Sequence, residues 1–198
     1  MRLILTRHGK TTQNESGIIM GRTPGELNEL GRTQSQLLGK KLCRENIGII
    51  YSSPSTRCRE TLKVLLEQFT ATPRVEFTDD LQERDFGELT GKELTPSLFE
   101  VLENDSPESR ALGIESIELL IKRTAHCIEN IKENCTGKTV LVVTHSNNIR
   151  AILMYLLNKT FMEVLDIAKV KNCALTEFNF TTEKGFELVA LDGTSHLG

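Results

Sequence analysis

The 198-residue chain is short of several things, and each shortage removes a class of function. It has no basic excess: Lys and Arg total 24 against 27 Asp and Glu, a net charge of -3. A general nucleic-acid binder needs surplus cations to neutralise phosphates along a duplex, so no nucleic-acid partner is expected. No apolar run approaches the roughly 18 to 20 residues of a membrane span, so no membrane partner is expected either. The five cysteines (Cys43, Cys58, Cys127, Cys135, Cys173) are odd in number and never spaced C-x-x-C. That argues against a disulfide framework and a zinc ribbon. The N-terminus enters an apolar segment at once, with no signal-peptide pattern, and reduced thiols then predict a cytoplasmic protein.

What is present is ordinary for a globular protein: 38% hydrophobic and 26% charged residues, which excludes wholesale disorder. The length predicts one domain over 1–198, large enough to build a core without metals or disulfides. Short apolar runs at Leu3–Leu5, Ile47–Tyr51, Val75–Phe77 and Val140–Val143 read as strands. The first and fourth are nearly continuous in aliphatic residues, as in strands buried on both faces. Helical spacing spans Leu30–Arg44, with Asn28 as N-cap, then about Ser55–Phe69, about Ser116–Asn134, and a stretch after His145. Two further strands, Ala174–Phe180 and Phe186–Leu191, flank a turn over 182–185. Strands alternating with helices predict an α/β three-layer sandwich with a mostly parallel central sheet. The segment over 91–113, with Pro96 and Pro107, is the least regular and reads as an inserted lid or cap.

Two strand-like runs end alike, in Arg7-His8-Gly9 and in Thr144-His145-Ser146-Asn147. The run at 47–51 ends in Ser52-Ser53-Pro54, with Arg57 and Arg59 beyond, and Glu83 and Asp85 follow the third run. In open α/β sheets ligands sit outside the carboxyl ends of the strands, so two histidines and one or two arginines are aimed at a common edge. A basic pocket with a carboxylate nearby suits a phosphate ester. Arginine's planar fork matches phosphoryl oxygens, and a neutral imidazole can attack phosphorus if its other nitrogen is tied to an acceptor. The simplest such acceptor is a backbone carbonyl at Gly9. The leaving oxygen needs a proton. Like-charge repulsion from a bound phosphate favours the protonated form of a neighbouring carboxyl, which suits Glu83.

Arg7-His8-Gly9-Lys10-Thr11 with Asn14 resembles the R-H-G-x-T-x-x-N signature of the histidine phosphatase superfamily, in its phosphoglycerate mutase-like branch. Further segments follow in that family's order. They are Leu27 to Gln34, Ser53 to Thr61 (S-P-x-x-R-x-x-x-T), Leu81 to Gly91 (L-x-E-x-x-F-G-x-x-x-G), Gly113 to Ser116 (G-x-E-S) and Val142 to His145. The resemblance implies His8 as the phosphorylated nucleophile and Arg7, Arg57 and His145 gripping phosphoryl oxygens. Asn14 and the backbone N–H of Ser146 are further donors, and Glu83 is the acid and then the base for water. It implies no metal and no cofactor. Three departures, Lys10, Asn28 and Ser146 where the family has other residues, remove no essential group.

Arg59 competes with Arg57, and Asp85 and Glu88 compete with Glu83. His126 and His196 read as bystanders. The loop over 16–26, with Gly21, Arg22 and Thr23, and the segment over 91–113 are expected to line the mouth. The predicted activity is metal-independent hydrolysis of a small phosphorylated metabolite. A phosphoglycerate mutase-type transferase is the first alternative, though the stretch between Glu83 and His145 is more compact than such mutases carry. A phosphate- or phosphoprotein-binding module is the second, though a pure binder needs no acid and no nucleophile. A monomer or a homodimer joined at the C-terminal strand pair is expected.

Overall fold

The computed structural model describes residues 1–103 and 105–198. In chain order the elements are β1 (Arg2–Arg7), α1 (Thr12–Glu15), α2 (Glu29–Leu42), β2 (Ile47–Ser52), α3 (Thr56–Leu66) and β3 (Arg74–Phe77). They continue with α4 (Pro96–Glu103), α5 (Pro107–Ala111), α6 (Ile117–Asn134) and β4 (Thr139–Thr144). The last are α7 (Ser146–Leu157), α8 (Phe161–Ile167), β5 (Leu175–Thr181) and β6 (Gly185–Gly193). The strands form one six-stranded sheet in the order β3-β2-β4-β1-β5-β6. β3, β2, β4 and β1 run parallel, and β5 and β6 are antiparallel additions. This is the mixed α/β sandwich that the alternation of strand and helix patterns predicts.

Both faces of the central strands are buried, and their side chains divide by parity. Leu3 and Leu5 of β1 join Val140 and Val142 of β4 in one core, with Ile128, Ile131, Ile149 and Ile152 from α6 and α7. Ile4, Leu141 and Val143 point the other way, onto Leu38, Leu42, Leu62 and Leu65 from α2 and α3. Truncating one such residue to alanine is expected to cost about 2–5 kcal/mol. Asn28 is the N-cap of α2 as predicted, its side chain accepting from the Gly31 N–H at 2.8 Å.

The 91–113 segment differs from its irregular reading. All of it but residue 104 is described, and it contains α4 and α5. Each helix begins at a proline, Pro96 and Pro107. Proline's fixed φ and missing N–H suit a first helical turn, so these residues start helices there. Leu98, Val101, Leu102 and Leu112 pack with Ile19, Phe86, Leu89 and Ile114 into a third apolar cluster at the carboxyl edge of the sheet.

Candidate active site

β1 and β4 are neighbours with Arg7 opposite Thr144, so the residues that follow them, His8 and His145, emerge side by side. Their ring centroids lie 5.2 Å apart at 63°. The His8 backbone N–H donates to the Thr144 carbonyl at 3.0 Å, carrying the strand pairing one step further. The turn at Gly9 is packed too closely for a side chain: a Cβ there would lie 2.5 Å from the Gly31 carbonyl oxygen at the start of α2. The Gly9 N–H donates to Thr61 Oγ1 at 3.0 Å, and Asn172 Nδ2 donates to the His8 carbonyl at 2.8 Å.

His8 is 2% exposed, and its Nδ1 lies 2.8 Å from the Gly9 carbonyl. A carbonyl only accepts, so Nδ1 carries the proton and Nε2 keeps its lone pair. Burial, then the charges of Arg57 and Arg7, hold the His8 pKa well below the ordinary imidazole value. The imidazole is therefore neutral at pH 7.

His145 is also fully buried and held neutral, by burial first and then by Arg57, His8 and Arg7. Its ring is engaged on both sides. Arg57 Nε donates to Nδ1 at 3.2 Å, so Nε2 carries the proton and meets Ser53 Oγ at 2.9 Å. The ring lies outside the cavity wall. In this arrangement the side chain backs Arg57.

The cavity at this edge has a volume of about 180 Å³. Arg7, His8, Asn14, Arg57, Glu83 and Ser146 line it together, while Ile18, Ile19, Met20, Phe86 and Phe99 supply apolar wall. Arg57 is 1% exposed and donates to the carbonyls of Thr23 (2.9 Å) and Gly21 (2.8 Å), clamping the 16–26 loop onto the floor. Arg7 donates to the Val170 carbonyl at 3.0 Å, leaving its Nε buried without a partner among the described residues. Burial lowers the Arg7 pKa to about 10, with Glu83 opposing, so Arg7 stays charged at neutral pH. Helix α7 starts at Ser146 with no side-chain cap. Its first N–H groups have no intrahelical acceptor, and Ser146 and Asn147 line the cavity, an arrangement suited to holding an anion.

Glu83 is 8% exposed, with Oε1 accepting from the Arg84 N–H at 2.9 Å. Its rival Asp85 lies outside the cavity wall and accepts from the Gly87 N–H. Arg59 also lies outside, donating to the Pro54 carbonyl and stacking 3.9 Å above the Phe77 ring. The Glu83 loop is drawn in by Glu115, whose carboxylate accepts from the Asp85 N–H, Arg123 and Arg22. Burial opposes ionisation of Glu115, but the Arg123 bond and charge outweigh it and hold its pKa below the usual carboxylate range.

Gly21 lines the cavity, whereas Arg22 and Thr23 do not. Arg22 is turned to the Glu83 carbonyl (3.2 Å), and Thr23 takes part through its own carbonyl, on Arg57. Three contributors escaped the sequence reading. Ser53 and Thr61 stand inside a quoted motif but act on His145 and Gly9. Arg150 lines the cavity one helical turn beyond Ser146, and that i, i+4 spacing was its signal.

A family model described as histidine phosphatase superfamily (branch 1) matches residues 3–192. A metal-independent phosphoserine phosphatase of Arabidopsis thaliana is 31% identical over 160 residues, covering 77% of this chain and 67% of that protein. A 2,3-bisphosphoglycerate-dependent phosphoglycerate mutase of Gloeobacter violaceus is 29% identical over 199 residues, covering 96% and 90%. Among solved structures, YhfR of Bacillus stearothermophilus matches with a TM-score of 0.89 at 23% identity, over 100% of this chain and 99% of that one. At that identity the likeness speaks for the fold alone.

Proposed function

The chain belongs to the histidine phosphatase superfamily, branch 1, and from that premise we propose that it hydrolyses a small phosphomonoester through a phosphohistidine on His8. The observation that carries this reading is the state of His8. It is neutral, tied at Nδ1 and free at Nε2, beside Arg7 and Arg57 and the open N-terminus of α7.

The phosphoryl group binds with its oxygens on Arg7, Arg57, Asn14 and the first N–H groups of α7. These donors are fixed before substrate arrives, so they stabilise charge in the transition state without reorganising. The Nε2 lone pair attacks phosphorus as the bond from phosphorus to the leaving oxygen breaks. Glu83, protonated, gives its proton to that oxygen. The resulting carboxylate takes a proton from water, whose oxygen attacks the phosphohistidine. The phosphorus–nitrogen bond breaks, and the electron pair returns to Nε2. His145 holds Arg57 in place through Nδ1 and is a positioning residue in this scheme. The 91–113 segment serves as a cap over one domain spanning 1–198. Free thiols at all five cysteines support a cytoplasmic setting. Among the described residues no helix is long and apolar enough to cross a membrane.

The test is hydrolysis of p-nitrophenyl phosphate in EDTA, with an alkaline quench to trap the adduct. Turnover in the chelator and a base-stable, acid-labile phosphoryl group on His8 are expected. Turnover surviving in His8→Ala overturns the reading. The mutase-named relative favours a second outcome, phosphoryl transfer from 2,3-bisphosphoglycerate to 3-phosphoglycerate, which the same quench reveals as a transfer product.

A further inference from the structure

Arg84, Arg150 and Glu103 line the cavity but play no part in that chemistry. Arg150, from α7, has its Nε buried and without a hydrogen-bond partner among the described residues. Glu103, at the end of α4, has Oε1 in the same condition. Both line the cavity, and each feels the charge of the other, yet no ion pair joins them among the described residues. Both residues are only partly buried, but one polar atom of each is shielded from water and unpaired, and such an atom favours a partner arriving in the cavity. Arg7 Nε and Arg84 Nη2, on the same cavity, are also without a partner among the described residues. With Arg7 given to the phosphoryl group and Arg84 tied to backbone carbonyls, Arg150 and Glu103 are left as an oppositely charged pair that suits a ligand bearing both complements.

The position of Arg150 says which part of the ligand it meets. It follows Ser146 by four residues, about 6 Å along the helix, on the same face. Long side chains on a helix lean toward its N-terminus, which carries the guanidinium back toward the turn that would hold the phosphoryl group. A group reaching Arg150 is therefore attached close to the ester oxygen. Glu103 comes from a different element, α4, next to Leu102 in sequence and with Phe99 and Phe86 in the same lining. Phe86, Phe99 and Leu102 shield that side of the cavity, so a leaving group without the matching charges leaves Arg150 Nε and Glu103 Oε1 unsatisfied.

We propose that Arg150 and Glu103 are specificity-determining residues that select an O-phospho amino acid, taking its carboxylate on Arg150 and its ammonium on Glu103. This rests on the phosphatase reading above and names its substrate class. Arginine is suited to the first task because its fork matches a carboxylate in bidentate fashion. Arg84 keeps a buried Nη2 without a partner among the described residues, but its Nε and Nη1 donate to the Glu115 and Leu102 carbonyls at 2.7 and 2.6 Å and hold it as the tie of α4 to the Glu83 loop.

The experiment compares kcat/KM on four esters. O-Phosphoserine carries both charges, 3-phosphoglycerate the carboxylate alone, phosphoethanolamine the ammonium alone, and p-nitrophenyl phosphate neither. O-Phosphoserine should be the best substrate of the wild type. Arg150→Met should lower the ratio of each carboxylate-bearing ester to its carboxylate-free counterpart by about 10-fold to about 100-fold, and Arg150→Lys should recover part of it. Glu103→Gln should lower the ratio of O-phosphoserine to 3-phosphoglycerate by about 10-fold. If Arg150→Met does not fold, shown by loss of its thermal transition, the Glu103→Gln ratio still decides.

Equal losses on all four esters would mean a purely structural pair and overturn the proposal, as would a wild type indifferent to the two charges. Failure of the phosphatase reading looks different: none of the four esters is turned over and no adduct forms on His8. Calorimetric binding of O-phosphoserine against phosphoethanolamine, in wild type and Arg150→Met, then reads the same selectivity.

Discussion

The ends of β1 and β4 lie side by side and each presents a histidine at the same depth, yet the two rings are held to opposite effect. His8 makes one ring hydrogen bond, through Nδ1 to its neighbour's carbonyl, and keeps a lone pair for the cavity. His145 is saturated, Arg57 on one nitrogen and Ser53 on the other. The helix ends behind them differ in the same sense. Helix α2, which buttresses the Gly9 turn, is capped by Asn28, whereas α7 starts uncapped with His145 in the N-cap position. A histidine after a buried strand is thus not yet a chemical role; in the proposed mechanism, what the second nitrogen touches separates nucleophile from support.

Mutating each ring in turn gives the sharpest way to break that contrast. His8→Ala should remove at least about 10⁴-fold of kcat, because in the proposed mechanism His8 carries the covalent intermediate. His145→Ala should cost about 10²- to 10³-fold, the range for misplacing one transition-state donor, here Arg57. The two should separate further in a double-mutant cycle. With Arg57→Lys already present, His145→Ala should add little, since the bond it supported is gone. Equal effects of the two single alanine variants would erase the distinction.

Proton linkage comes next in size, and here the two rings should behave alike. Both have folded pKa values depressed below the ordinary 6.5. The unfolded chain therefore binds protons that the native state refuses as pH falls below about 6.5. Stability is fully present above that value and declines as pH falls toward the folded values, by up to about 1.4 kcal/mol per pH unit for each ring. Urea titrations at pH 7.5, 6.0 and 5.0 measure the slope, and His8→Gln should flatten it by about half. An unchanged slope in that variant would mean that His8 is not the neutral, buried group described above.

How much of this the sequence discloses follows from the range of the interactions. The strands are legible because burial on both faces writes itself as runs such as Val140–Val143, and the paired histidines because topology sends both strand ends to one edge. The Gly9 carbonyl as the acceptor for His8 is legible too, being one residue away. Arg57 on the carbonyls of the 16–26 loop is not, because backbone acceptors have no sequence signature. The same holds for Arg22, turned away to the Glu83 carbonyl. The short helices were hidden for another reason. Proline signals a break and a start alike, which concealed α4 and α5. Helix α8 is announced by the Thr160–Glu163 capping box, a signal that is present but short.

The smallest effect belongs to the capped side of the contrast. Asn28 holds the start of α2 by accepting from the Gly31 N–H, and its own N–H donates to the Lys10 carbonyl at 3.0 Å. A Cβ at Gly31 would lie 2.0 Å from that same carbonyl oxygen, so the helix start and the turn after His8 are in direct contact. Asn28→Ala should cost about 1 kcal/mol, while Asn28→Ser, which keeps an accepting oxygen, should recover most of it. For a chain of this length that is a fall in melting temperature of about 2–4 °C. Because the backbone bond to Lys10 survives the substitution, the turn keeps its geometry, and kcat well below the transition should change far less than in either histidine variant. A large loss of kcat in Asn28→Ala at unchanged stability would instead make the cap part of how His8 is aimed, and the strand register would no longer suffice to place it.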